Sequence, residues 1–422
     1  MRSNYKKLGP YIRDVSEKNK DLQVKKLLGV SITKAFIPSI ANIVGTDMST
    51  YKIVRTNQFA YGPVTSRNGE KISVALLQED DCIISTSYTV FEIIDHNELD
   101  PEYLMMWFRR PEFDRYARYK SHGSVREIFG WDEMCDVELP IPSIEKQREI
   151  VREYNTIVNR IQLNEQMNQK LEETAQAIYK HWFVDFEFPI SAEYAASIDK
   201  PELEGKPYKS SGGEMIFCEE LDQEIPKRWS VSRISDFCKD MKNGATPKRD
   251  DPEYWDSPDI PWIKTGEISN NAIWHAEEYI SHLGHKKSST QLLPKDTVLM
   301  AMYGATAAQI AYLKFQATTN QACCAMMCKS PEDAAYLYYR LLNNQEEIKS
   351  FSIGGAQENL SKALIEKLPI YTGDDDFPNY TALSILLESK AQNSKKILNL
   401  KHLANLLLSG IASAEYKEEL AA

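Results

Sequence analysis

Long apolar runs are missing from this chain. None of its 422 residues lies in a stretch approaching the roughly 18 apolar residues of a membrane span, so no membrane-crossing helix is expected. Nor does an apolar stretch follow Met1-Arg2-Ser3-Asn4-Tyr5-Lys6-Lys7, so no signal peptide is read and the cytoplasm is the expected location. Catalytic signatures are missing as well. There is no phosphate-cradling GxxxxGK[ST], no GxGxxG after a strand and no G-x-S-x-G. The Pro-Pro-aromatic motif of amino-methyltransferases is absent, Asp251-Pro252-Glu253-Tyr254 being the nearest approach. Pro258-Asp259 is followed by no Glu-x-Lys in range, so a nuclease motif is not completed. Catalysis by this chain alone is therefore not expected. A nuclease or methyltransferase with an unrecognised motif is the competing reading, and a bare coiled-coil scaffold is a third.

CxxC pairs are absent too. The seven cysteines include the adjacent Cys323 and Cys324 in the apolar run Ala322–Met327, which reads as a buried strand of free thiols and not as a metal site. His275, His282 and His285 read as a surface turn, with no metal assigned. Finally, there is no surplus of positive charge. Lys and Arg number 50 against 61 Asp and Glu, giving a net charge of −11 and a pI near 5.3. A uniformly basic nucleic-acid binder is excluded; a local basic face is not. Acids gather in the helical stretches, at Glu202 to Glu224 and at Asp374-Asp375-Asp376, while bases sit in short loops.

What is present is a repeat. A strand-and-turn stretch ends in Leu139-Pro140-Ile141-Pro142 and runs into a long helical pattern. A second ends in Leu368-Pro369-Ile370 and does the same. Upstream of the joins lie Gly123-Ser124-Val125-Arg126-Glu127 and Gly354-Gly355-Ala356-Gln357-Glu358. The fold class read from this is α+β: two mixed α/β globular domains separated by two long helices that pair as an antiparallel coiled coil, with pseudo-two-fold repetition. The boundaries fall at 1–142 for the first globular domain, 143–187 for the first helix, 188–220 for a linker, 221–377 for the second globular domain and 378–416 for the second helix.

The first helical seam reads Tyr154, Ile157, Ile161, Asn164, Asn168, Leu171, Ala175, Ile178, Trp182. The second reads Leu383, Leu386, Lys390, Asn393, Ile397, Leu400, Ala404, Leu407, Ile411. Polar residues interrupt both midway, a device that costs stability but sets register. About 40 helical residues measure about 60 Å. Parallel helices would oblige the linker to retrace that length, whereas antiparallel ones need only a short linker.

The remaining chemistry suits recognition of DNA. In the first domain the candidate contacts are Tyr61, Thr65, Ser66, Arg67 and Asn68 on one loop, Ser87 and Tyr88 at a strand end, and Lys120, His122, Ser124 and Arg126 on another loop. Arg grips guanine edges bidentately, Asn does the same with adenine, and small residues let backbone amides approach phosphates. In the second domain the candidates are Lys242, Asn243, Thr246, Lys248, Arg249, Tyr303, Thr306, Asn320, Gln321, Gln357 and Asn359.

The pattern resembles the specificity subunits of type I restriction–modification enzymes. Its carriers are Leu139-Pro140-Ile141-Pro142 with Glu145 to Ile150, Asn164 to Gln176, and His181-Trp182-Phe183-Val184-Asp185-Phe186. Gly244-Ala245-Thr246-Pro247, Tyr254-Trp255, Ile260-Pro261-Trp262 and Thr319-Asn320-Gln321 carry it in the second domain. After Ile370 the pattern departs: Tyr371 replaces the expected Pro, and no Glu-Gln follows. The resemblance implies a non-catalytic subunit of a bacterial or archaeal cell whose two target-recognition domains each read half of an interrupted double-stranded DNA site. It implies two modification subunits that bind S-adenosylmethionine and methylate adenine N6, and restriction subunits that use ATP and Mg. No cofactor is expected in this chain itself.

Overall fold

The computed structural model describes residues 5–39, 46–66, 69, 71–123, 127–351, 359–373, 378 and 380–412. Two compact units emerge, residues 1–162 with 399–422, and residues 163–398. The protein is mixed α+β, with each unit built round its own sheet.

In the first unit Tyr5–Lys7 pairs with Glu138–Pro140, while Ile12–Val15, Thr89–Ile93, Phe59–Tyr61 and Val74–Leu76 form a four-stranded antiparallel sheet in that order. In the second, Trp229–Arg233 pairs with Pro369–Gly373, and Asp240–Asn243, Cys323–Met327, Val298–Ala301 and Ile310–Leu313 follow in the same order and sense. The second unit adds Asn271–Ile273, parallel to Ile310–Leu313, and a small sheet of Glu278–Ile280, Ile260–Ile263 and Thr318–Thr319. Helices Pro101–Phe108 and Pro111–Lys120 follow the first sheet; Pro331–Asn343 and Gln345–Ser350 follow the second. A proline opens Pro101–Phe108 and Pro331–Asn343, where its missing N–H costs nothing, and Asp100 and Ser330 cap those two. Asn57 (φ +69°) and Asp296 (φ +66°) occupy the same left-handed corner in the two copies, and both donate their backbone N–H to the corresponding leucine, Leu77 or Leu313.

Register refines the repeat. Leu8 N donates to Val137 O at 2.8 Å, and Ile234 N to Leu368 O at 3.0 Å. Val137 and Leu368 are therefore counterparts, and Ile370, not Leu368, stands where Leu139 does. The two Leu-Pro-Ile triplets lie one pleat apart, and the hydroxyls of Tyr103 and Tyr336 both donate to the true equivalent carbonyls, Pro140 O and Tyr371 O, at 3.1 Å.

The long helices are Ile144–Phe183 and Thr381–Gly410. Within the second unit their direction is explicit: Asn393 Nδ2 donates to Asn164 O at 3.1 Å, Lys390 pairs with Glu172, and Phe183 shares a core with Leu383. Numbers rise on one helix as they fall on the other, so the pair is antiparallel there. Asn168 Nδ2 donates to Ser394 Oγ at 3.0 Å, so this polar interruption also meets the facing helix. The buried stripe differs in detail from the heptad reading: Tyr179 and Phe183 are buried where Ile178 and Trp182 are half-buried, and Leu387 and Ala391 replace Leu386 and Lys390. A helix packed on a whole domain shows that domain a wider face than it shows a single partner helix.

Residues 188–220, read as a linker, are folded instead. A short helix, Ala192–Ser197, is capped by Ser191, and Phe188 stacks on Tyr208 and Trp229 at 4.7 and 5.0 Å. Proline, glycine and glutamate set the composition, but the spaced aromatics set the burial.

In the first unit, Gln147 is wholly buried at the start of the first long helix. Its Oε1 accepts from Asp100 N, and its Nε2 donates to Glu98 O and Pro142 O, at 2.8–2.9 Å. It ties the helix start to the segment that caps Pro101–Phe108. Gln147→Ala strands those groups and is expected to cost about 1–3 kcal/mol, read as a lower denaturation midpoint.

Candidate nucleic-acid interface

In the first unit the strand Phe59–Tyr61 runs into the turn 62–66. Backbone bonds bind this turn to the segment after Gly123: Thr65 N to Glu127 O at 3.0 Å, Phe129 N to Pro63 O at 2.8 Å, and a bridge between Val64 and Ile128. The structure thus unites the loops that hold Ser66 and His122, both exposed, with the half-buried Lys120 at the end of its helix. Tyr88 lies beside them, its ring 3.5 Å from where a Gly62 Cβ would stand. Ser87 is exposed, and its hydroxyl pairs with Ser85.

Two candidates are not surface readers. Tyr61 is fully buried, edge-on to Phe91 and Phe129, and burial holds its phenol far above its ordinary pKa. Alternation along the strand turns it inward. Thr65 is also buried, and its hydroxyl is committed to Ser121 Oγ at 2.8 Å, locking one loop onto the other. Arg67, Asn68, Ser124, Arg126 and Gln357 lie outside the described residues.

The second unit repeats the arrangement. Leu360 N donates to Met302 O at 2.8 Å, as Phe129 does to Pro63, and Tyr303 bridges Asn359 as Val64 bridges Ile128. Tyr303 and Asn359 are exposed and Thr306 half-buried. A separate surface forms where Gly244–Thr246 lies on Thr319–Gln321. Ala245 N donates to Thr319 O at 2.9 Å, Trp262 Nε1 to Ala245 O at 3.0 Å, and the Thr246 hydroxyl to Gln321 Oε1. Asn320 is half-buried and accepts from Cys323 Sγ at 3.1 Å, while Gln321, Asn243 and Lys248 are exposed. Lys242 is half-buried and paired with Asp240 at 3.3 Å.

Arg249 follows this turn and lies over two indoles, 3.8 Å from the Trp255 centroid and 4.6 Å from Trp262, while pairing with Glu278. Glu278 also pairs with Lys264 at 2.9 Å. Burial alone would push the Glu278 carboxyl up, but the hydrogen bonds from Lys264 and Arg249 outweigh it and hold the group below its ordinary pKa. The sequence reading named Arg249 but not Trp255, Trp262, Lys264 or Glu278 as parts of one site. Tryptophans six and thirteen residues beyond an arginine carry no local period that joins them.

Cys323 and Cys324 are buried in the strand Cys323–Met327, and burial pushes the Cys324 thiol up to about 12. His282 and His285 lie on the short helix His282–Lys287. Among the described residues no group of three His, Cys, Asp or Glu is placed to hold a metal. No helix among them is long and apolar enough to cross a membrane.

The profile of the type I restriction modification DNA specificity domain matches twice, at residues 12–173 and 226–374. The chain belongs to this family. Each match begins within one copy of the repeat and runs past its sheet. The DNA specificity family includes curated relatives at modest identity. The type I restriction enzyme HindI specificity subunit of Haemophilus influenzae is 23% identical over 419 residues, covering 89% of this chain and 90% of that one. The type I restriction enzyme MjaIX specificity subunit of Methanocaldococcus jannaschii is 23% identical over 341 residues, covering 80% and 74%. The crystal structure of a type I restriction-modification S subunit from M. genitalium shares the fold, with a TM-score of 0.58 at 13% identity over 97% of this chain and 95% of that one.

Proposed function

We propose that this chain is the non-catalytic, sequence-reading subunit of a type I restriction–modification complex, and that each unit reads one half of an interrupted DNA site. One observation carries this reading: the turns 62–66 and 302–306 leave corresponding strands and are tied by corresponding backbone bonds to 127–129 and 359–360. The same presenting surface is built twice, with different side chains on it. A protein that needs two different short sequences in one order has a use for that.

Modification subunits bring S-adenosylmethionine and perform adenine N6 methylation, including extrusion of the base from the duplex. Restriction subunits bring ATP and Mg. Helix length is the ruler for the gap between half-sites in this reading: Ile144–Phe183 measures about 60 Å, against roughly 34 Å per turn of B-DNA. With a net charge of −11, this reading assigns phosphate contacts to local faces and to partners.

The test is an exchange of residues 1–142 for those of another family member, followed by mapping of methylated adenines in a host carrying the modification subunit. One half of the recognised sequence is expected to change while the other stays. A site unchanged in both halves, or methyl transfer by this chain without a modification subunit, overturns the reading.

A further inference from the structure

A bidentate grip on guanine needs two coplanar guanidinium N–H groups free to enter the major groove edge-on. Arg249 is held back from such an entry. Its guanidinium carbon lies 3.8 Å from the Trp255 ring centroid and 4.6 Å from that of Trp262, and its Nη1 is bonded to Glu278. The two rings meet edge to face at 5.0 Å. Both are fastened to the turn that leads into Arg249: Trp255 Nε1 donates to Lys248 O at 2.8 Å, and Trp262 Nε1 to Ala245 O at 3.0 Å. The arginine is thus folded back along its own turn with its side chain half exposed. One open edge suits a phosphate oxygen, which asks for charge and a donor but no fixed pattern.

We propose that Arg249 contacts a DNA phosphate and not a base edge, with Trp255 as the residue that positions it; this rests on the reading of the second unit as a half-site reader. Glu278 competes for the same guanidinium, and Lys264 resolves the competition. Lys264 already holds Glu278 at 2.9 Å and Glu277 at 3.0 Å. A phosphate at the remaining guanidinium donors shares Arg249 with Glu278, and Lys264 keeps Glu278 paired, so no charge is stranded. Lys248, the preceding residue, is exposed.

The test uses the chain assembled with its modification subunit, a duplex carrying the site mapped from methylated adenines, and a duplex with the second half-site scrambled. Affinity is measured over a series of salt concentrations. Arg249→Ala is expected to weaken both duplexes by the same factor and to reduce the slope of log K against log salt by about 0.9. Arg249→Lys restores the slope, and Trp255→Leu weakens both duplexes while leaving the slope in place. Should Arg249→Ala not fold, Arg249→Gln against Arg249→Lys gives the same comparison. A loss confined to the cognate duplex makes Arg249 a base reader, and a loss of affinity at constant slope makes it purely structural; either overturns the assignment. A wild-type complex indifferent to the scrambled half-site defeats the half-site reading itself, and shows this before any variant is measured.

Discussion

Asp114→Ala is expected to destabilise the first unit by about 3–5 kcal/mol at neutral pH, the cost of leaving a buried charge without its partner. Lys34 and Asp114 form an ion pair with side chains only 7% and 12% exposed. Lys34 Nζ also donates to Ile72 O at 2.6 Å, and Asp114 Oδ1 accepts Ile72 N at 3.1 Å. The pair therefore fastens three segments: the loop of Lys34, the start of the strand Val74–Leu76, and the helix Pro111–Lys120. Burial lowers the Lys34 pKa, and the Asp114 hydrogen bond and charge oppose that shift. Without Asp114 the ammonium is depressed further. In the window between its folded and unfolded pKa values the unfolded chain then holds more protons, so the stability of the variant rises with pH. The penalty is expected to be full below that window and to shrink as pH rises through it, as read by denaturant midpoints. The double variant Lys34→Met/Asp114→Leu is expected to recover part of the loss, because an apolar pair needs no counter-charge but leaves Ile72 N and O without these partners. An Asp114→Ala midpoint within experimental error of wild type at pH 7 contradicts the assignment.

Gly244→Ala is expected to abolish reading by the second unit while the first keeps its half-site. A Cβ on Gly244 would lie 2.1 Å from Thr319 O and 2.3 Å from Asn320 O. Both are backbone atoms, so no rotamer change relieves the clash. The turn must lift, and with it go Ala245 N to Thr319 O and Trp262 Nε1 to Ala245 O. Two hydrogen bonds at about 1 kcal/mol each and an overpacking cost of about 1–3 kcal/mol suffice to detach the turn without unfolding the sheet. In the assembled complex, methylation is expected to require only the first half-site, or to fall at least tenfold with the first-half preference intact. Unchanged discrimination at the second half-site shows that Gly244–Thr246 does not present the reading residues.

The elements were legible where a short local pattern sufficed. Cys82–Ile84, Thr89–Ile93 and Val298–Ala301 are short apolar-rich strands, and Pro111 opens a helix directly after Pro101–Phe108. The polar steps at Asn164, Asn168 and Asn393 marked the seam that the second unit closes with side-chain hydrogen bonds. Legibility ended with the candidate site. Tyr61 and Thr65 have the residue types of DNA readers and lie beside or in the turn 62–66, yet one faces the core and the other locks two loops. Residue type says what a side chain offers, while the sheet decides which way it points.

Two kinds of fact thus separate in this protein. Periodicity, prolines at helix starts and the doubled join are properties of neighbouring residues, and the chain alone determined them: two α+β units and two long helices. Folding of 188–220, the one-pleat offset between the Leu-Pro-Ile triplets, and the closure of Trp255, Trp262 and Glu278 round Arg249 were decided by tertiary structure alone. Each joins residues whose spacing follows no helical or strand period. Such contacts are selected by the free energy of burying rings and pairing charges, after the local elements have formed.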